Sequence, residues 1–162
     1  MPDQPLPYRA CTIRTLPQDR WQHAAAHAIR INPANAPATE MLTSAGLALP
    51  SPAHLAIITA KYWGSGGVVL TVGFLEETPI DLQNKILSHM NAWSEYGNVS
   101  FALTDTDPQV RITRETADEG YWSYLGTDVG QIAADQPTMS LEGFTMGTRD
   151  SEFHRVVRHE TG

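Results

Sequence analysis

The sequence predicts an α/β protein of the α+β kind: a twisted mixed sheet of about five strands, a long helix after the first strong strand, and a second helix closing the chain. Three observations carry this expectation. Residues 68–75, Val-Val-Leu-Thr-Val-Gly-Phe-Leu, form an apolar, β-branched run of strand length behind the glycine cluster at 64–67. Residues 79–96 set Ile80, Ile86, Leu87, Met90 and Trp93 at three- and four-residue spacing behind Pro79, which suits the first turn of an amphipathic helix. Short apolar segments at 99–103, 109–113, 122–125 and 138–144 then alternate with Gly, Pro and Asp turns before a last helical pattern at 150–160.

A length of 162 residues with 41% apolar and 18% charged content suits one globular domain with a sizeable core. Residues 1–50 differ in texture. Prolines at 2, 5, 7, 17, 33, 37 and 50 punctuate them, so they read as an N-terminal extension or pro-like segment ahead of a domain at 51–162. Within the extension, the alanine-rich stretch 18–31 lies between Pro17 and Pro33 and predicts one short helix. Residues 32–50 read as a linker with at most one helical turn near 38–42, and residues 55–59 as a short strand. The glycines at 64–67 lack the spacing of a phosphate loop and read as a turn.

The net charge of −7, with no basic run to offset it, argues against nucleic acid and anionic membranes as partners. No stretch approaches the ~20 apolar residues of a membrane span. Met1-Pro2-Asp3-Gln4-Pro5 has neither the basic region nor the apolar run of a signal peptide, so the chain taken literally begins in the cytoplasm, with secretion left open as the alternative. Cys11 is the single cysteine, which excludes an internal disulfide. Two readings of it stand: a small residue of a short strand, or a thiolate capping a metal in a latent enzyme. His23 and His27, spaced i and i+4, can share a helical face toward a metal, but without a third ligand nearby they read as a solvated pair.

The chemistry concentrates at the end of the sequence. In residues 150–160, Asp150 or Ser151 can cap a helix, and Phe153, Val156 and Val157 mark its apolar face. Glu160 falls on that apolar stripe and His159 on its flank. A carboxylate aimed at a core is costly without a partner or a task. A helical His-Glu pair is how the zinc-binding helix of a metallopeptidase begins: an imidazole for the metal, and beside it a carboxylate to take a proton from water. The sequence is expected to break off inside that motif, because His159-Glu160-Thr161-Gly162 is reached with no second imidazole at the i+4 position.

The order of these pieces resembles an astacin-like zinc metallopeptidase of the metzincin group. The strand at 68–75, the long helix, the segment 122–131, the strand near 137–141 and the helix bearing His159-Glu160 carry the resemblance, which spans residues 51–162 and implies the N-terminal subdomain of that fold. The family signature is HExxHxxGxxH followed by a Met-turn. The resemblance implies His159 as the first zinc ligand and Glu160 as general base, with Thr161 and Gly162 at the variable positions and the remaining ligands absent from this sequence. It implies Zn²⁺ as cofactor and a peptide or protein as substrate; the cysteines common in secreted astacins are absent here, a departure from the animal enzymes that suggests a disulfide-free relative. It also implies that substrate adds to an edge strand by main-chain hydrogen bonds, a strand expected within residues 126–144.

For the complete protein the expectation is a zinc-dependent endopeptidase; for this sequence alone, neither tight catalytic zinc nor activity. Two alternatives remain open from the residues: a non-catalytic α/β binding module whose His-Glu pair is chance, and a metal-dependent hydrolase acting on something other than peptide.

Overall fold

A computed structural model describes residues 10–162, and residues 1–9, read above for their lack of a signal sequence, lie outside the described residues. Six strands make one sheet: β1 (Cys11–Arg14), β2 (Val68–Phe74), β3 (Val99–Leu103), β4 (Val110–Thr113), β5 (Tyr121–Tyr124) and β6 (Met139–Leu141). Their spatial order is β1-β5-β6-β4-β2-β3. All neighbours run parallel except β5 with β6, so β1 and β5 point against the other four. The sixth strand is the N-terminal β1, which the sequence did not assign to the sheet; Cys11 opens it, as the short-strand reading required.

The helices are α1 (Trp21–Ile31), α2 (Glu40–Ser44), α3 (Pro52–Ile58) and α4 (Ile80–Met90), followed by a terminal helix. The terminal helix is compound, with α5 (Asp150–Glu152) and α6 (Arg158–Thr161) joined by a π-helical stretch over Phe153–Val157. α4 and the terminal helix cover one face of the sheet. Leu70 and Val72 of β2, Ile112 of β4 and Leu141 of β6 meet Leu82, Ile86 and Met90 of α4 and Phe153, Val156 and Val157 there. Phe144 sits edge-on to both Tyr121 and Phe153, at centroid distances of 5.5 and 5.0 Å. Among the described residues no helix is long and apolar enough to cross a membrane.

Several sequence expectations are corrected. Residues 55–58 belong to a helix and Thr59 is its extended C-cap, because Ser51 accepts the His54 amide as N-cap and Pro52 occupies the first turn. The apolar stripe of α4 uses Leu82 in place of Ile80, which is 61% exposed. That helix stops at Met90, and Asn91–Glu95 continues as a 3₁₀ turn that leaves Trp93 half exposed. Neither Asp150 nor Ser151 caps the terminal helix: Arg149 takes the N-cap position without a side-chain bond, and Asp150 pairs with Lys85 at 2.6 Å.

Candidate metal centre

The terminal helix begins as an α-helix, widens into a π turn, and returns to α geometry at Arg158. Phe153, Val156 and Val157 bury themselves against α4 and the sheet on this wide turn. Wide turns of this kind insert one residue into the helical count and turn the residues that follow relative to those before. Glu160 is buried at 7% exposure while its neighbour His159 is exposed. The sequence wheel, which put Glu160 on the apolar stripe and His159 on its flank, meets this arrangement.

Glu160 is not sealed in the core. Its Oε2 accepts a hydrogen bond from Ser123 Oγ of β5 at 3.0 Å, and its Oε1 is buried without a hydrogen-bond partner. A small cavity beside it is lined by Trp63, Leu70, Ser123, Gly126 and Thr161 among others. A buried carboxylate oxygen left without a partner is costly in a fold that is otherwise well paired, so the position calls for a cation or a polar ligand.

Cys11 completes the arrangement. β1 pairs in parallel with β5, and its first residue comes to rest against the terminal helix, so that ligand atoms of Cys11, His159 and Glu160 all lie within 4.8 Å of one another. These are residues from the two ends of the described chain. Burial pushes the Cys11 thiol up to about 11, and the neighbouring Glu160 carboxylate adds to the rise while Arg155 opposes it. Arg155 itself is held by Glu152, with Nη2 to Oε2 at 2.7 Å. A sulfur, an imidazole and a carboxylate form the donor set of zinc or a similarly soft divalent ion, not of calcium or magnesium. The residues therefore fit a zinc site, and this trio is the one metal-ligating cluster found among the described residues.

The remaining candidates lie elsewhere. His23 and His27 share α1, where His23 is exposed, with Nδ1 against Gln131 Oε1 at 2.7 Å, whereas His27 is partly buried against Gly130, with Nδ1 against Arg30 at 3.1 Å, so the expectation of a solvated pair holds for His23 and is corrected for His27. The strand expected within 126–144 is β6, which lies inside the sheet; the strand carrying β1 is β5, just upstream. A short strand preceded by a glycine turn gives no hint of its place in the lateral order, which explains the miss. Ser123 was also overlooked, since a lone serine in a strand carries no sequence signal.

No family model matches the chain, and no curated protein sequence matches it. Among solved structures it is similar to two of myroilysin, each at 37% identity over 63% of this chain, with TM-scores of 0.56 and 0.57. The chain covers 42% and 44% of those two chains, so it spans less than half the length of the solved relatives it matches. The similarity joins this α/β sheet to the fold of a metallopeptidase.

Proposed function

We propose that this chain is the N-terminal part of a zinc-dependent endopeptidase of the astacin-like, metzincin kind, in a latent form. Residues 51–162 would contribute the upper part of the catalytic domain and residues 1–50 a removable pro-segment. The observation that carries the reading is the approach of Cys11 of β1 to His159 and Glu160 of the terminal helix, with ligand atoms of all three within 4.8 Å of one another. The likeness to myroilysin supports it at the level of a metallopeptidase acting on peptide or protein.

His159 would hold the metal through its imidazole, alongside two imidazoles from sequence beyond Gly162. A zinc ion so held supplies Lewis acidity and lowers the pKa of a coordinated water toward neutrality. Catalytic zinc sites keep one position open, whereas structural sites are closed. Cys11 sulfur would fill that position and exclude water, the physical content of latency. Glu160 would hold the proton taken from the attacking water and pass it to the leaving amine. Ser123, donating to Glu160 Oε2, fixes the carboxylate so that Oε1 is the oxygen left for that proton. β5 would bind extended substrate along its main chain once β1 leaves it.

Cobalt titration of the chain tests the donor set. A sulfur-to-cobalt charge-transfer band is expected in the native chain, absent in Cys11→Ser and weakened in His159→Ala; a spectrum unaffected by either change would sink the assignment. For catalysis, the protein extended past Gly162 and freed of residues 1–50 should cleave peptides, and Glu160→Gln should lower kcat by at least about 10²-fold with zinc content unchanged. Cleavage of non-peptide substrates alone would select the other hydrolase reading.

A further inference from the structure

Among the described residues the N-terminal segment is attached to the rest of the chain at three separate places, and the exposed link at residues 45–49 carries none of them. At the first, β1 extends the sheet beside β5, with Cys11 opposite Tyr121 and Arg14 opposite Tyr124. Arg14 adds an ion pair to Glu119 at 2.8 Å, and its guanidinium lies 4.3 Å from the Trp122 ring centroid. At the second, α1 sits on the 3₁₀ turn Gly126–Gln131. Arg20 Nη1 donates to the Gln131 carbonyl at 3.1 Å, and His23 pairs with the Gln131 side chain. Gly130 permits the approach, because a Cβ there would stand 3.0 Å from His27 Nε2. That turn is itself braced, since the buried Arg111 donates to the carbonyls of Ile132 and Gln136 at 3.1 and 2.7 Å.

The third attachment is Asn35, 1% exposed. Its Nδ2 donates to the carbonyls of Ala28 and Tyr62 at 3.0 and 2.8 Å, its Oδ1 accepts the Tyr62 amide at 3.0 Å, and its own carbonyl accepts the Ala60 amide at 3.1 Å. One side chain thus ties α1 to the strand-like stretch leading into β2. Ala24, Ala25 and Ala28 of α1 and Ala56 of α3 are buried where these two helices meet.

Residues 45–49 are different. Every one is exposed, with Leu47 and Leu49 more than half so. The backbone bonds of Gly46 and Leu47 run only to Thr43 and Leu42 in the preceding turn of α2. Exposed segments of small residues without tertiary bonds are where peptidases cut.

We infer that cutting the link within residues 45–49 leaves residues 10–44 bound to the rest of the chain, so that the severed segment is a noncovalent partner of the sheet and covers Cys11's neighbours after the cut. This rests on reading the N-terminal segment as the latency element. The cut is hydrolysis of one peptide bond by water, giving a carboxylate and an ammonium terminus on the surface. It removes the effective concentration supplied by the link, about millimolar for a short linker, and none of the three attachments. Maturation then needs a second event, either a further cut inside residues 10–35 or the release of the Cys11 end.

The test is limited digestion of the whole chain with an elastase-type peptidase in metal-free buffer, followed by mass analysis, gel filtration at micromolar concentration and Ellman's reagent. The expected result is a first cut within 45–49, co-elution of both fragments, and Cys11 reacting at the rate of the uncut chain. A fragment that leaves on the column, a Cys11 rate about tenfold faster after the cut, or a first cut inside α1 would overturn the inference. Asn35→Ala is expected to weaken retention of the cut segment about tenfold, as loss of a buried hydrogen-bonded group implies. His23→Ala, an exposed change that leaves folding intact, should weaken it by a smaller factor. Equal retention in both variants would overturn the assignment of the attachments. Zinc plays no part in these readouts, so a failure of the metal reading appears only in the cobalt spectra.

Discussion

The sheet with its two covering helices and the N-terminal segment are held by different physics. The first is an apolar interior: Val72, Ile86, Met90, Ile112, Leu141, Phe153, Val156 and Val157 are each fully buried. The second buries small alanines and relies on directed polar contacts from Arg14, Arg20, His23 and Asn35. Apolar burial is non-directional and tolerates repacking, whereas a few directed bonds fail together once one partner is lost. A structure assembled in this way can give up one region without melting the other, as the proposed pro-segment reading requires.

The largest expected effect comes from the interior. Phe153→Ala should cost about 3–5 kcal/mol in urea denaturation, because it deletes the ring that packs against Phe144 and His89. Both regions should lose hydrogen-exchange protection together in that variant. Asn35→Ala should cost less, about 1–3 kcal/mol, by leaving buried groups at Ala28 and Tyr62 without their partner. Here the exchange should be regional: α1 loses protection while β2, β4 and β6 keep theirs. Equal loss everywhere would erase the distinction drawn between the regions.

A third effect is set by pH. Burial holds His89 below the usual histidine range, with Arg158, Lys85 and His154 lowering it further and Asp150 opposing. The imidazole rests on Phe153 with its Nδ1 buried and without a partner. The unfolded chain therefore binds a proton that the folded chain resists, and stability should fall as pH drops below about 6.5. Replacing His89 by Phe should flatten that slope between pH 7 and 5 in urea titrations. The smallest effect belongs to Ile13, 83% exposed on β1: Ile13→Thr should change stability by less than about 0.5 kcal/mol. A larger loss would mean that this edge is covered.

Periodicity exposed the elements that pack by apolar face. β2, β3, β4 and α4 stand within a few residues of where alternation and three-four spacing put them. α3 was misread because Leu55-Ala56-Ile57-Ile58 is a short apolar run that fits strand or helix, and only its Ser-Pro start decides. β1 was missed as part of the sheet because its partner lies at the other end of the chain, and pairing of that kind leaves no local mark. The same limit governs the site. His159 and Glu160 were readable as a motif, whereas the approach of Cys11 and Ser123 depends on lateral strand order that no spacing encodes. The wide turn at Phe153–Val157 was invisible too, since its apolar residues fit an ordinary helix as well.

That wide turn gives this stretch a local tolerance of length. Removing one residue between Phe153 and Val157 would take out the residue that the wide turn accommodates, restoring regular helical winding while leaving the residues downstream on about their present bearing. Glu160 would go on facing Ser123. Deleting Arg158 instead, in regular winding where nothing absorbs the loss, would rotate Glu160 by about 100° about the axis and should abolish the constellation.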